Sequence, residues 1–140
     1  MGTTFGFDYI NFEGVLCAIE NRKTIINTLP ENLQKCLIYN TVTASEEEGH
    51  INQLIETSLE EPIIIYGENS ADTSVEKKYK QLKSFGFSKV YIYRGGMFEW
   101  ILLQNIYGED KIPTTFPEKD ILRYAGKHKN FAELVANRRT

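Results

Sequence analysis

The sequence predicts an α/β domain: a small, mainly parallel sheet with helices on both faces. Three observations carry that prediction. The runs TIINT (24–28), CLIYN (36–40), PIIIYG (62–67) and KVYIY (89–93) are short, continuous and rich in Ile, Val and Tyr. Uninterrupted runs of this kind suit strands covered on both faces, as parallel sheets require. The segments between several of them place apolar residues at helical spacing, and the alternation of helix and strand with short joints is the rhythm of a parallel sheet.

Taken in order, the chain opens with a segment that reads as a helix carrying Cys17 on its apolar face. The run TIINT is the first strand, and Cys36 stands at the junction into the second, CLIYN. Ser45 with Glu48 forms a capping box at the start of the next helix, whose stripe is Ile51, Leu54, Ile55 and Leu59. Pro62 steers the preceding residue away from helix and marks the change to strand. A further helix is expected from Thr73, with Glu76 completing a second capping box. Val75, Tyr79 and Leu82 share one face of it, and Gly86 stands where a helix ends in a left-handed residue. After KVYIY, the Gly95–Gly96 pair permits a sharp reversal, and Phe98, Ile101, Leu102 and Asn105 continue at helical spacing. Pro113 and Pro117 bracket a loop. Residues 1–116 are therefore expected to form the domain. Residues 117–140 form a C-terminal extension, partly helical or mobile, with an amphipathic piece NFAELVANRR.

Composition narrows the function classes. At 140 residues the chain can bury roughly two-thirds of its unfolded surface and needs no disulfide to fold. A net charge of -3 implies no general affinity for nucleic acid or membrane, and no apolar run reaches the ~18 residues of a membrane span. The N-terminal residues MGTTFGFDYINF lack the pattern of a signal peptide, which points to a reducing, cytoplasmic compartment. Cys17 and Cys36 have no zinc spacing and are expected to be reduced and at least partly buried. His50 and His128 read as ordinary surface residues and Trp100 as core. The Glu46–Glu48 run suits a helix N-terminus rather than a metal. The acidic stretch 45–72 and the basic tail read as solvated faces, with contact to a partner the other reading.

The pieces PIIIYGENSADTS, QLKSFGFSKVYIY and RGGMFEW, in that order, resemble the second half of a rhodanese-like domain. TIINTLPENLQKCLIYNT is similar, more loosely, to the first half, so the resemblance spans roughly residues 8–108. The longer phrase GGMFEWILLQNIYG is similar to rhodanese-like proteins of large DNA viruses. The resemblance implies a loop, 67–73, whose backbone N–H groups cradle an anion. In sulfurtransferases of the family that anion is a thiolate or its persulfide, on a cysteine directly after the strand; in the phosphatases it is a phosphoryl group closed over by an arginine. The underlying physics is general, since converging donors at a helix N-terminus bind anions and lower a thiol pKa.

Against that pattern, Gly67 stands where the resemblance places the nucleophile, and glycine can carry neither sulfur nor phosphoryl. Ser70 is the hydroxyl nearest the middle of the loop, and no base accompanies it in sequence. The loop holds Glu68 and Asp72 but no Lys or Arg, and Asn27 and Leu29 stand where the family has an Asp and an Arg. Asn69, Ser70, Asp72 and Thr73 suit either helix capping or a small polar pocket. The expectation is a catalytically inactive rhodanese-like domain acting as a binding or regulatory module. Its recognition loop would be Gly67, Glu68, Asn69, Ser70, Ala71, Asp72 and Thr73, facing a protein partner or a small polar ligand, with no cofactor, metal, nucleic acid or membrane. The alternative is a divergent sulfurtransferase using Cys36, or a hydrolase using Ser70.

Overall fold

In the computed structural model, which describes residues 6–126 and Val135, four parallel strands lie in the order β1-β4-β3-β2. They are β1 (Tyr9–Ile10), β2 (Thr24–Asn27), β3 (Ile63–Tyr66) and β4 (Val90–Tyr93). The helices are α1 (Phe12–Glu20), α2 (Ala44–Thr57), α3 (Ser74–Ser84) and α4 (Gly96–Tyr107), with short 3₁₀ turns at Glu31–Leu33 and Ile121–Tyr124.

The strands sort their side chains with period two. Ile25, Ile64, Tyr66 and Tyr93 join α1, α4 and Tyr124 on one face, around Trp100. Ile26, Ile63, Ile65, Val90 and Ile92 join α2 and α3 on the other. The central strands β3 and β4 pair Ile65 with Ile92, and every residue of β3 is buried. Both faces are thus covered, which is why the strand sequences are apolar throughout rather than alternating.

The structure corrects several local expectations. The run 36–40 is not a strand: Asn40 adopts φ 72°, Thr41 N–H turns back to the Ile38 carbonyl, and only isolated bridges remain, Ile38 to Thr114 and Thr41 to Ile25. The unforeseen strand β1 is a two-residue edge. The cap position of helix α2 is Thr43, which is extended, not Ser45; Val42 N–H is tied to the Ile25 carbonyl at 2.8 Å and the helix begins just after Thr43. Thr43 Oγ1 donates to the Glu46 carboxylate at 2.9 Å, side chain to side chain, and Thr43 makes no side-chain bond to a helix N–H, so no capping box forms there. Thr73 does occupy the cap position of α3, but its side chain does not cap; Asp72 does. Val75, Tyr79 and Leu82 share the buried face as expected, and Gly86 (φ 108°) closes α3 with paired bonds from Gly86 N to Lys83 O and from Phe87 N to Leu82 O. On α4 the buried stripe is Met97, Trp100, Ile101 and Gln104; of the expected set only Ile101 is fully buried, and Leu102 and Asn105 face out. Cys17 is exposed because Val15 and Ala18 carry the buried face of α1, whereas Cys36 is buried. His128 and nearly all of 130–139 lie outside the described residues. No helix among the described residues is long and apolar enough to cross a membrane.

Candidate functional site

The carboxyl end of a central parallel strand is where open α/β sheets place ligands, and the loop 67–73 leaves β3 there. Its outer wall is set by α4. Met97 N–H donates to the Gly67 carbonyl at 3.0 Å and Phe98 N–H to the Glu68 carbonyl at 2.9 Å. The start of α4 approaches so closely that a Cβ on Gly96 would run into the Gly67 carbonyl and stand 3.0 Å from Asn69 N. Gly96 also has φ 64°, so position 96 needs glycine on two counts.

The inside of the loop is occupied by its own side chains. Asp72 Oδ2 accepts from Glu68 N–H at 3.0 Å, and Asp72 Oδ1 accepts from Ser74 N–H at 3.0 Å and Ser74 Oγ at 2.6 Å. Ser74 Oγ lies 2.7 Å from Thr28 Oγ1, which ties the carboxylate to the end of β2. Asn69 Oδ1 accepts from Ala71 N–H at 2.9 Å, and the Asn69 carbonyl accepts from Asp72 N–H at 3.1 Å. A Cβ on Gly67 would collide with the Asp72 carboxylate and stand 3.0 Å from Thr28 Oγ1. The amides of Glu68, Ala71, Asp72 and Ser74 are therefore turned onto acceptors of the loop itself, chief among them the Asp72 carboxylate.

Beside the loop lies a cavity of about 130 Å³, lined by Tyr9, Asn69, Ser70, Asp72, Glu76 and Arg94, among others. It is smaller than the roughly 300–1,000 Å³ of organic-ligand sites. Arg94 is the cation that the loop sequence lacks. It enters from the residue after β4, and its guanidinium lies 5.1 Å from the centre of the Tyr9 ring. An arginine directly after the KVYIY strand was the available signal, but nothing in the sequence showed that β1 and the loop meet there.

A family model for the rhodanese-like domain matches residues 30–103, more than half of the chain. The chain belongs to the rhodanese-like domain family. Among solved structures it is similar to the BH2092 protein of Bacillus halodurans, at 16% identity and TM-score 0.58, covering 92% of this chain and 89% of that one. It is also similar to the rhodanese-like domain of the Anabaena Alr3790 protein, at 18% identity and TM-score 0.55, covering 89% and 90% of the two chains. Ygr203w, a yeast protein tyrosine phosphatase of the rhodanese family, matches at 11% identity and TM-score 0.55, covering 82% and 96%. At these identities the likeness is one of fold. No curated protein matches the sequence.

Within the rhodanese-like frame, the other candidate residues scatter. Asn27 is buried and makes an amide turn: its Oδ1 accepts from Leu29 N–H at 2.9 Å and Gln34 Nε2 at 2.7 Å. Leu29 packs in the core. Ser70 is exposed at the loop tip, and no histidine lines the cavity beside it. Cys36 lines a separate cavity of about 250 Å³ with Leu33, Phe116, Glu118, Arg123 and Tyr124. Burial pushes the Cys36 thiol up, against the lowering effect of hydrogen bonds with Tyr124 and Thr114. His50 bonds Thr24 Oγ1 at 3.0 Å, at the amino end of β2 and hence at the opposite end of the sheet from the loop. Trp100 is core, its ring edge-on to Tyr93 and its Nε1 donating to the Pro113 carbonyl at 3.0 Å. Among the described residues no cluster of three or more His, Cys, Asp or Glu could hold a metal ion.

Proposed function

We propose that this rhodanese-like domain is catalytically silent and serves as a binding or regulatory module through the surface around the 67–73 loop. One observation carries the reading. The position after β3 is glycine, and the space its side chain would need is taken by the Asp72 carboxylate. A sulfur- or phosphoryl-transfer site needs an empty cradle with a nucleophile in it. Here the amides of Glu68 and Ser74 already hold an internal anion, so an external one bound by them would have to displace a tethered carboxylate.

The alternative, sulfur transfer through Cys36, needs a thiolate near neutral pH within reach of substrate. Burial and a raised thiol pKa weigh against it. A hydrolase using Ser70 needs a base to activate the hydroxyl. The surface left to a partner is polar and mixed in charge: Asn69, Ser70, Thr73 and Glu76, with Arg94 and Tyr9 beside them. That chemistry suits a polar protein segment or a small polar ligand.

The deciding experiment is sulfur transfer from thiosulfate to cyanide by the wild-type chain, Gly67→Cys, and Gly67→Cys with Asp72→Ser. The wild type and the single variant are expected to match a thiol blank, because the new side chain meets Asp72. The double variant is expected to turn over. Turnover by the wild type, abolished by Cys36→Ser, would establish the alternative instead.

A further inference from the structure

The chain after α4 returns across the α1/α4 face in two differently anchored stretches. Residues 112–116 are pinned along their length. Gln104 Nε2 holds the Ile112 carbonyl at 2.8 Å, and Trp100 Nε1 holds that of Pro113 at 3.0 Å. Thr115 N–H bonds the Leu37 carbonyl at 2.8 Å, and Tyr39 N–H the Pro113 carbonyl at 3.1 Å. Residues 117–126 are held otherwise. Their ion pair, Arg123 with Glu118 at 2.9 Å, and the Asp120 cap on Leu122 N–H are internal to the stretch. Among the described residues, the hydrogen bond that joins the backbone of this stretch to the rest of the chain is made at Tyr124, whose carbonyl accepts from Asn69 Nδ2 at 2.8 Å. The Tyr124 side chain packs in the same core cluster as Cys36. The Tyr124 ring is 1% exposed, closing one wall of the cavity over Cys36.

We propose that residues 117–126 form a hinged strap over Cys36, latched at Tyr124 by the Asn69 side chain of the 67–73 loop. Asn69 is suited to this role because one amide serves both sides: its oxygen organises the loop through Ala71 N–H, and its nitrogen holds the strap. A partner that draws Asn69 toward itself removes the latch, and a strap held open reorganises the loop by the same coupling, since such linkage is reciprocal. A single neutral hydrogen bond sets the closed-to-open ratio by a factor of about two to ten. The strap does not depend on the loop being a recognition site, since the latch exists in the unbound chain.

The test is native-state alkylation of the full chain with iodoacetamide, reading Cys36 and Cys17 separately by peptide mass spectrometry. Asn69→Asp keeps the acceptor for Ala71 N–H and loses the donor to Tyr124; Ser70→Ala serves as the control. Asn69→Asp is expected to label Cys36 about two- to tenfold faster, with exposed Cys17 unchanged and the urea midpoint close to that of the control. An unchanged Cys36 rate overturns the latch. Acceleration that follows the loss of global stability across urea overturns the strap as a separate unit. Should Asn69→Asp fail to fold, native-state hydrogen exchange of the Leu122–Ala125 amides in the unaltered chain decides the matter. Exchange at a lower opening free energy than β3 upholds the strap, and exchange only by global unfolding overturns it.

Discussion

Asp72 shows how much one side chain decides. Its carboxylate takes three bonds, from the amides of Glu68 and Ser74 and from the Ser74 hydroxyl, while blocking any side chain at position 67. Asp72→Ala leaves those donors without their acceptor and is expected to cost about 1–3 kcal/mol, measured by urea unfolding. A shift under a few tenths would mean that water or a neighbour replaces the carboxylate at no cost. Gly96 makes a sharper demand. Gly96→Ala adds left-handed strain and a collision with the Gly67 carbonyl, so at least ~2 kcal/mol should be lost, with the 67–73 loop displaced. The polar loop itself was legible in the sequence from the junction of an apolar run with capping residues. The role of Asp72 was not, because composition shows that a carboxylate is present but not which donors it reaches.

Helices and strands were legible to the degree that local chemistry governs them. Helix α3 and its glycine stop follow from spacing and from the left-handed conformation at the end, and the structure keeps both. Two glycines give predictions of opposite sign. Gly86→Ala forces a Cβ into a φ of 108° and to 3.2 Å from Leu59 Cδ1, and is expected to destabilise by about 1–2 kcal/mol. Gly49 lies inside α2 with nothing within 4 Å of an added Cβ. Gly49→Ala should stabilise by about 0.5–1 kcal/mol. Thermal or urea midpoints of the two variants check both, and a common sign would refute the local argument. The misread elements failed for tertiary reasons. Helix α4 is apolar nearly all round, so spacing alone did not say which stripe faces the sheet. The run 36–40 looks like a strand, but Leu37 and Tyr39 spend backbone groups on Thr115 and Pro113, and Ile38 N–H goes to the Tyr66 hydroxyl, instead of joining the sheet.

The whole molecule keeps a set of acidic hydrogens out of water. Burial raises the pKa of the Cys36 thiol and of the Tyr66, Tyr93 and Tyr124 phenols, and for Tyr93 the bond to Glu99 at 2.8 Å adds to it. The unfolded chain releases these protons at about pH 8.5 for the thiol and about pH 10 for the phenols. The folded chain still holds them there, so the native state binds more protons and stability falls as pH rises. The full contribution is present below about pH 8.5 and declines above it, more steeply past about pH 10, where each retained phenol proton withdraws about 1.4 kcal/mol per pH unit. Urea midpoints between pH 7 and 11 should trace this decline. A flat profile would show that these groups ionise alike in both states.

Short-range chemistry wrote the α/β class, the strand–loop–helix junction and the glycine at position 67 plainly into the chain, because strand burial, helix spacing and turn residues act over a few positions. Folding alone decided that Asp72 fills the loop, that Arg94 and Tyr9 stand beside it, and that Tyr124 closes over Cys36 under the hold of Asn69. The Asp72 bonds are local but depend on the exact path of the loop; the others join residues far apart in sequence, and their identity depends on which parallel strands become neighbours. That order is set by the packing of both faces of the sheet together.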